Sequence, residues 1–156
     1  MPPSSSPIAL LLALIDEAFD HTAWHGPTLR GSVRGLSARQ ADWRPSPTRH
    51  SIHDLVVHAA YWKYAVRRRL AGGSPGRCPR KGSNWFDTRG ASWEDDLRLL
   101  DEEHRLLRRV VAGLSAASLG RRVKATHTAA YTIRGIAAHD LYHAGQIQLL
   151  KRLQNA

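Results

Sequence analysis

The sequence predicts an all-α protein, a single domain over residues 1–156 that folds as a four-helix bundle. Three observations favour this fold. Apolar residues recur every three or four positions over four long segments. Serine or threonine stands at the N-cap position of most of these segments. No segment shows the alternating pattern of a β-strand, and a chain of 156 residues is long enough to bury one sizeable core.

The first third of the chain contains the first predicted helix and a stiff connector. The helix covers residues 7–25 and is interrupted by Gly26-Pro27, beyond which it continues to residue 34. A single helical turn begins at Ser37, three residues before a glutamine that suits a capping box. Two prolines within residues 43–47 then predict an extended linker, because each disfavours helix at the residue before it.

The remaining predicted helices begin at capping residues. Ser51 opens the second helix, with an aspartate three residues later, and this helix extends to about Ala71. Ser92 opens the third, which extends to residue 111 or 112. Thr132 is the expected N-cap of the fourth, which extends to about residue 153. The long loop 72–91 allows a crossover between helices, and loops of this length are often functional.

Cysteine usage and hydropathy favour a cytoplasmic protein that does not contact a membrane. The single cysteine, Cys78, excludes an internal disulfide framework and fits a reducing compartment. The apolar run at residues 8–15 is too short for a membrane span. It also lacks the charged start and the cleavage site of a signal peptide. We interpret it as part of a core helix.

The net charge of +10 arises mainly from arginine. Such a surface can attract nucleic acid or a small anionic substrate. The basic residues are scattered, without a recognition helix, an RNP-type strand or zinc-finger spacing, which argues against specific nucleic-acid binding. Arg77, Arg80 and Arg89 lie in the long loop, where we expect them to attract the carboxylates of a substrate. Generic surface charge is the alternative.

Three histidines on apolar helical stripes are candidate metal ligands. His139 and His143 are four residues apart, which places both imidazoles on one face of the fourth predicted helix. No His, Cys, Asp or Glu follows His143, so a third ligand has to come from upstream, and His58 lies on the stripe of the second helix. Burying three imidazoles without a metal or an acidic partner is costly. The pattern therefore favours a metal site over three hydrogen-bonded core histidines.

Several segments resemble the DinB superfamily of small helical metalloproteins. The matching segments are Trp24-His25-Gly26-Pro27, Trp43-Arg44-Pro45, residues 51–62 and residues 135–147. The last segment is the most specific, because its His-x-x-x-His is followed by Ala-Gly-Gln-Ile. The resemblance implies a DinB-like bundle in which one histidine of the second helix and two of the fourth hold a divalent metal ion, with zinc or nickel expected. This role falls on His58, His139 and His143.

The resemblance also implies a function. Characterised relatives include thiol S-transferases that use low-molecular-weight thiols such as bacillithiol, and a mycothiol-dependent isomerase. Three neutral histidines leave a coordination position open, which is typical of a catalytic site. We expect a metal-dependent enzyme that activates a low-molecular-weight thiol or water for attack on a small electrophile. The alternatives are a non-catalytic metal-binding or stress-response module and a basic protein whose histidines only pack.

Four other residues have open roles. His25 is either a fourth ligand or proton shuttle, or only a cap of the helix break. Trp62 is expected to form a wall of the substrate pocket, or simply part of the core. Asp140 has a surface or supporting role, or acts as a general base. Cys78 is either a low-pKa thiol or an ordinary surface cysteine.

Tryptophan placement favours a homodimer. The chain has five tryptophans, more than one small core is expected to hold. Trp43, Trp85 and Trp93 lie in predicted loops or at a helix start. Aromatic side chains exposed on a monomer are candidate interface anchors.

Overall fold

The computed structural model describes residues 6–73, 78, 80, 82 and 84–155. Its elements, in chain order, are α1 (Pro7–Phe19), α2 (Leu29–Ser32), α3 (Ala38–Asp42), α4 (Ile52–Leu70), α5 (Trp93–Ala112), a 3-10 helix (Ala116–Gly120), β1 (Arg122–Lys124), β2 (His127–Thr128) and α6 (Ala129–Gln154). The four long helices α1, α4, α5 and α6 pack as a bundle. The predicted all-α four-helix bundle is therefore confirmed.

Helices α4 and α5 run parallel, so the chain crosses over between them. Near the start of both helices His53 contacts Asp96, and further along both Lys63 contacts His104. Residues 71–92 therefore return the chain to the end of the bundle from which α4 started. A long loop makes this connection geometrically feasible, as the sequence allows.

The other two long helices run opposite to this pair. Along α4, His58 contacts His143 whereas Lys63 contacts Asp140, so α6 is antiparallel to α4. Helix α1 is antiparallel to α5. Asp16 pairs with Arg108, whereas Phe19, which is further along α1, stacks on His104, which is nearer the start of α5. In chain order the four long helices thus run up, down, down and up. Helices α4 and α6 lie side by side, where they can share a site.

Helix N-caps explain where the described helices begin. Ser51 accepts a hydrogen bond from the backbone N–H of Asp54, whose carboxylate accepts one from the N–H of Ser51 in return. Ser92 caps α5 in the predicted place. The predicted cap of α6 is wrong. Thr128 is the N-cap, and the Thr132 hydroxyl instead donates to the Thr128 carbonyl within the first turn.

The first helix is shorter than predicted. α1 ends at Phe19 instead of His25, with Asp20 as its C-cap. The chain becomes helical again only at Leu29, because the Thr28 side chain caps α2 by accepting a hydrogen bond from the N–H of Gly31. Pro27 therefore does not open a helix, and residues 20–28 form a mostly exposed connection that ends at the buried Thr28.

A small antiparallel sheet lies in the connector before α6, where no strand is predicted. In it, Arg122 pairs with Thr128 and Lys124 pairs with His127. Strands of three and two residues are too short to show an alternating pattern. The hairpin contacts both α4 and α6, so it covers one side of the helix pair that carries the candidate site.

Two of the three tryptophans that support the homodimer prediction are partly or fully buried. Trp93 is buried in the core, where its indole N–H donates to the Leu36 carbonyl, so it is not an interface anchor. Trp43 is half-buried, and Trp24 is the fully exposed one. The homodimer stays a prediction.

Among the described residues, none of the helices combines the length and apolar character required to cross a membrane.

Candidate metal centre

The three predicted histidines converge between α4 and α6. The Nε2 atom of His139 lies 3.1 Å from Nε2 of His58 and 3.0 Å from Nε2 of His143. One ring nitrogen from each residue falls within 4.8 Å of the others. Two nitrogens bound to one zinc-sized ion at about 2.1 Å lie roughly 3.0–3.4 Å apart at ordinary coordination angles. The two separations to His139 Nε2 match such an ion.

The outer ring nitrogens of two histidines are held by hydrogen bonds. Nδ1 of His58 donates to the backbone carbonyl of Asn84 over 2.8 Å. Nδ1 of His143 donates to Oε1 of Gln146 over 2.6 Å, and the amide of Gln146 donates to the Tyr142 hydroxyl. A neutral imidazole carries one ring proton, so both residues present an unprotonated Nε2 inward. Such partners of metal-ligating histidines fix the tautomer and the ring orientation.

The three converging nitrogens cannot satisfy one another with protons. The single ring proton of His139 lies either on Nε2, where it can serve only one neighbour well, or on Nδ1, which is buried and has no hydrogen-bond partner among the described residues. In the first case Nδ1 keeps a buried, unpaired lone pair, and in the second case three lone pairs face each other. A shared cation removes this conflict, because it accepts all three lone pairs while the His139 proton stays on Nδ1. The donor set therefore fits a divalent metal ion.

Burial keeps the histidines in the neutral form that binds metals. Burial, together with the neighbouring His143 and His58, lowers the pKa of His139 to about 3. It also lowers the pKa of His143 to about 4, against the opposing hydrogen bond to Gln146. The pKa of His58 is lowered by burial as well, although the Asn84 carbonyl opposes this. At neutral pH protons therefore do not compete for the three nitrogens.

A loop residue and a stack of rings cover the site. Asn84 has a positive φ of 61°, and its side-chain oxygen accepts a hydrogen bond of 2.9 Å from the indole N–H of Trp62. The Trp85 ring stacks on His58 with centroids 3.9 Å apart, and the His50 ring stacks on Trp85 with centroids 3.7 Å apart. These contacts restrict rotation of the His58 ring.

A family comparison matches residues 15–147 to the DinB superfamily. The chain belongs to the DinB superfamily. The match includes α4 and most of α6, and hence all three histidines. A comparison with curated proteins finds no significant match. Membership of the DinB superfamily and the geometry of the three histidines together indicate a group that could hold a metal ion.

Two cavities reach the histidines of this DinB protein from different sides. The larger, about 500 Å³, is lined by His143, Trp85 and several leucines of α6. The smaller, about 220 Å³, lies between α4, the hairpin and the start of α6, and is lined by His139 and Trp62. Trp62 therefore borders this cavity beside His139, and its role as a wall of a substrate pocket stays a prediction. A bound ion would be reachable from outside the bundle.

His25 is not brought into the three-histidine group. It lies exposed between α1 and α2, and the group of converging nitrogens contains His58, His139 and His143 without it. The early end of α1 explains its place, because the residue falls in an open turn rather than on a helix. Its predicted role as fourth ligand or proton shuttle receives no support from this position.

Asp140 is neither at the surface nor among the metal-facing groups. It is fully buried and pairs with Lys63 of α4, which also lies within 3.4 Å of His104. Burial raises the pKa of Asp140 to about 6, and Lys63 opposes that rise. Because Lys63 lies one turn after Ala59 on the stripe of α4, its burial could have been read from helical spacing.

The loop residues with predicted chemical roles have other contacts. Burial raises the pKa of Cys78, which disfavours a reactive thiolate. Arg80 pairs with the buried Asp96, and Arg89 pairs with the exposed Asp87. Arg77 lies outside the described residues. Neither described arginine lines a cavity that reaches the histidines.

Proposed function

We propose that this protein is a metal-dependent enzyme that activates a low-molecular-weight thiol or water for attack on a small electrophile. The observation that carries the proposal is the convergence of three neutral imidazoles, without a fourth protein ligand among the described residues, beside two cavities. Closed structural sites use four protein ligands, whereas catalytic sites keep a position open. A divalent ion, when bound, supplies the Lewis acidity that lowers the pKa of a coordinated thiol or water.

The residues of the chain contribute orientation and exclusion of water. Asn84 and Gln146 hold the outer nitrogens of His58 and His143, so the inner nitrogens keep a fixed direction. Trp85 and Trp62 border the histidines and shield one side of the site from solvent. A shielded site strengthens the interaction between a cation and a nearby thiolate or hydroxide.

A conjugation assay tests this proposal. Protein loaded with zinc or nickel is mixed with a panel of small thiols and a fluorogenic electrophile, and thioether formation is followed above the uncatalysed rate. We expect turnover with at least one thiol and its loss in His143→Ala. The control is His21→Ala, because His21 is exposed and hydrogen-bonded to its neighbour Asp20, away from the three histidines.

The outcomes separate the two metal-binding hypotheses. Stoichiometric metal without conjugation or hydrolysis of any tested electrophile would support the non-catalytic module. Equal turnover in His143→Ala and in the unmodified protein would show that the three histidines are not the reactive centre.

A further inference from the structure

We propose that one end of the bundle binds single-stranded nucleic acid without sequence preference. This basic end comprises the last turns of α4 and α5, the hairpin β1–β2 and the first turns of α6. The basic residues are scattered along the sequence, but the fold gathers many of them here. The inference is independent of the proposed function, because it uses neither the metal ion nor a reaction.

Acidic residues are missing from the segment that forms most of the basic end. Residues 104–139 contain seven arginines or lysines and neither aspartate nor glutamate, so no carboxylate of this segment offsets their charge. The segment includes the C-terminal part of α5, the hairpin and the start of α6. The last turn of α4 adds Arg67, Arg68 and Arg69. Much of the net positive charge therefore lies at this end.

Several of these cations have no acidic partner. Arg67 is neutralised, because it pairs with Glu103. In contrast, Arg69, Lys124 and Arg134 form no ion pair with any acidic residue that the structure describes. Lys124 and Arg134 are also exposed, and Arg69 is half-buried. These side chains therefore remain available to the phosphates of a ligand.

Aromatic rings lie between the unpaired cations. Tyr131 is 52% exposed in the first turn of α6, and its ring lies beside that of His127 with centroids 4.7 Å apart. The guanidinium of Arg69 lies over the Trp62 ring, 5.7 Å from its centroid. All four side chains and Lys124 line the cavity of about 220 Å³, which has no acidic lining residue. The cavity is below the roughly 300–1,000 Å³ of pockets for drug-sized ligands, so it suits one flat ring.

The combination of rings and cations favours a single strand over other polyanions. Bases of a single strand stack on exposed aromatic side chains while cations follow the backbone, and neither contact depends much on the base. In a duplex the bases are stacked inside the helix and do not reach such a cavity. An anionic membrane would use the charges without the rings. The lack of a recognition helix agrees with binding that does not read sequence.

Fluorescence anisotropy with labelled oligonucleotides tests this inference on metal-loaded protein. The main probe is an oligothymidine of about 12 nucleotides, which falls within the roughly 4–16 nucleotides that an OB-fold covers. An abasic oligonucleotide and a duplex of the same length are the comparison probes. Cosedimentation with phosphatidylglycerol vesicles tests a membrane surface separately. His143→Ala is measured in parallel and should bind oligothymidine as the unmodified protein does, because the phosphates are not expected at the metal.

A substitution of Tyr131 tests the stacking contact. We expect Tyr131→Ala to bind oligothymidine about tenfold more weakly, since one stacked base contributes on the order of one decade. Its affinity for the abasic probe should not change. The control is Trp24→Ala, which removes a fully exposed ring from the connection after α1, at the opposite end of the bundle.

A double substitution tests the phosphate contacts. We expect Lys124→Gln/Arg134→Gln to lower the slope of log affinity against log salt concentration by about 1.4, since each phosphate contact on a single strand contributes about 0.7. The control Arg39→Gln/Arg152→Gln removes the same charge from exposed residues of α3 and of the end of α6. It should keep the slope of the unmodified protein.

Four results would overturn the inference. The first is no binding of oligothymidine at micromolar protein concentration and low salt. The second is affinity for the duplex or the abasic probe that equals the affinity for oligothymidine, because the surface would then be a general polyanion site. The third is an equal change in a variant and its control, or a loss of binding in His143→Ala. The fourth is binding to vesicles without binding to oligothymidine.

Discussion

Asn84 contacts two residues of α4, His58 of the three-histidine group and Trp62 beside that group. Its carbonyl accepts the Nδ1 proton of His58, and its side-chain oxygen accepts the indole proton of Trp62. The residue adopts a φ of 61°, a left-handed conformation that glycine and asparagine tolerate better than other residues. Its backbone conformation thus aims the carbonyl at His58.

Substitutions of Asn84 should separate its backbone role from its side-chain role. Asn84→Gly keeps the carbonyl and suits the positive φ, so we expect metal affinity close to that of the unmodified protein. Asn84→Val places a β-branched residue in this conformation and should reduce metal affinity by about 10- to 100-fold, as loss of a partner of a metal ligand does. Competition with a chelator measures both affinities. Equal affinities in the two variants would contradict the role of the backbone.

At this scale the convergence of the three histidines is predictable, and their hydrogen-bond partners are predictable only in part. The spacing of His139 and His143, and the place of His58 on an apolar stripe, follow from helix geometry alone. Gln146 is three residues after His143, so its contact was also readable from helical spacing. Asn84 was not, because its contact depends on a left-handed φ and on the path of a long loop.

Helices α4 and α6 are joined by a buried ion pair beside the histidines. Lys63 is 1% exposed, and its ammonium group pairs with Asp140, which is also 1% exposed. Removal of one partner of a buried pair leaves an uncompensated charge, whereas removal of both costs less. The pair therefore specifies how the two helices meet more than it stabilises the bundle.

We expect Lys63→Met to lower the free energy of unfolding by about 3–5 kcal/mol. The double variant Lys63→Met/Asp140→Leu should recover most of this loss, because apolar residues of similar volume replace both charges. Urea denaturation monitored by circular dichroism gives both values. The control is Arg98→Met, which breaks an exposed pair with Asp95 and should change stability little. A double variant that is less stable than Lys63→Met would contradict this account.

Element boundaries were predictable where a side chain caps the helix. Ser51 with Asp54, and Ser92, mark the starts of α4 and α5 in the sequence as in the structure. The start of α6 was misplaced because two threonines four residues apart both suit an N-cap, and only the hairpin before Thr128 decides between them. Helix direction was not predictable, because caps and stripes contain no information about which helices become neighbours.

Two buried histidines, His53 and His104, make the free energy of unfolding depend on pH, and their contributions change with pH in opposite directions. Burial, together with the nearby charges of Lys63 and Arg108, lowers the pKa of His104 to about 3. Burial also opposes a charge on His53, but its hydrogen bonds to Asp96 and Asp42 outweigh this and raise the pKa above the ordinary value of 6.5. His53 therefore stabilises the fold below pH 6.5 and loses that contribution as the pH rises through its folded pKa.

The contribution of His104 to the free energy of unfolding changes with pH in the opposite direction. In the unfolded chain it binds a proton below about pH 6.5, whereas in the folded protein it stays neutral down to about pH 3. Its contribution is therefore complete above 6.5 and is lost as the pH falls. We expect His104→Gln to reduce the pH slope of the free energy of unfolding by about 1.4 kcal/mol per pH unit between roughly pH 5.5 and 4.5.

Urea denaturation of metal-free protein at several pH values measures this slope. His25→Gln is the control, because its exposed ring is solvated in both states, and it should keep the slope of the unmodified protein. A slope in His104→Gln as steep as that of the control would show that His104 is protonated in the folded protein.

Elemental analysis of protein purified without a polyhistidine tag tests the central claim most directly. We predict one divalent ion per chain, since the three inner nitrogens need a shared cation and protons do not compete for them at neutral pH. His143→Ala should lose most of this ion, whereas His21→Ala should keep it. Protein that stays metal-free after incubation with zinc or nickel, or a metal content in His143→Ala equal to that of the unmodified protein, would contradict the metal site.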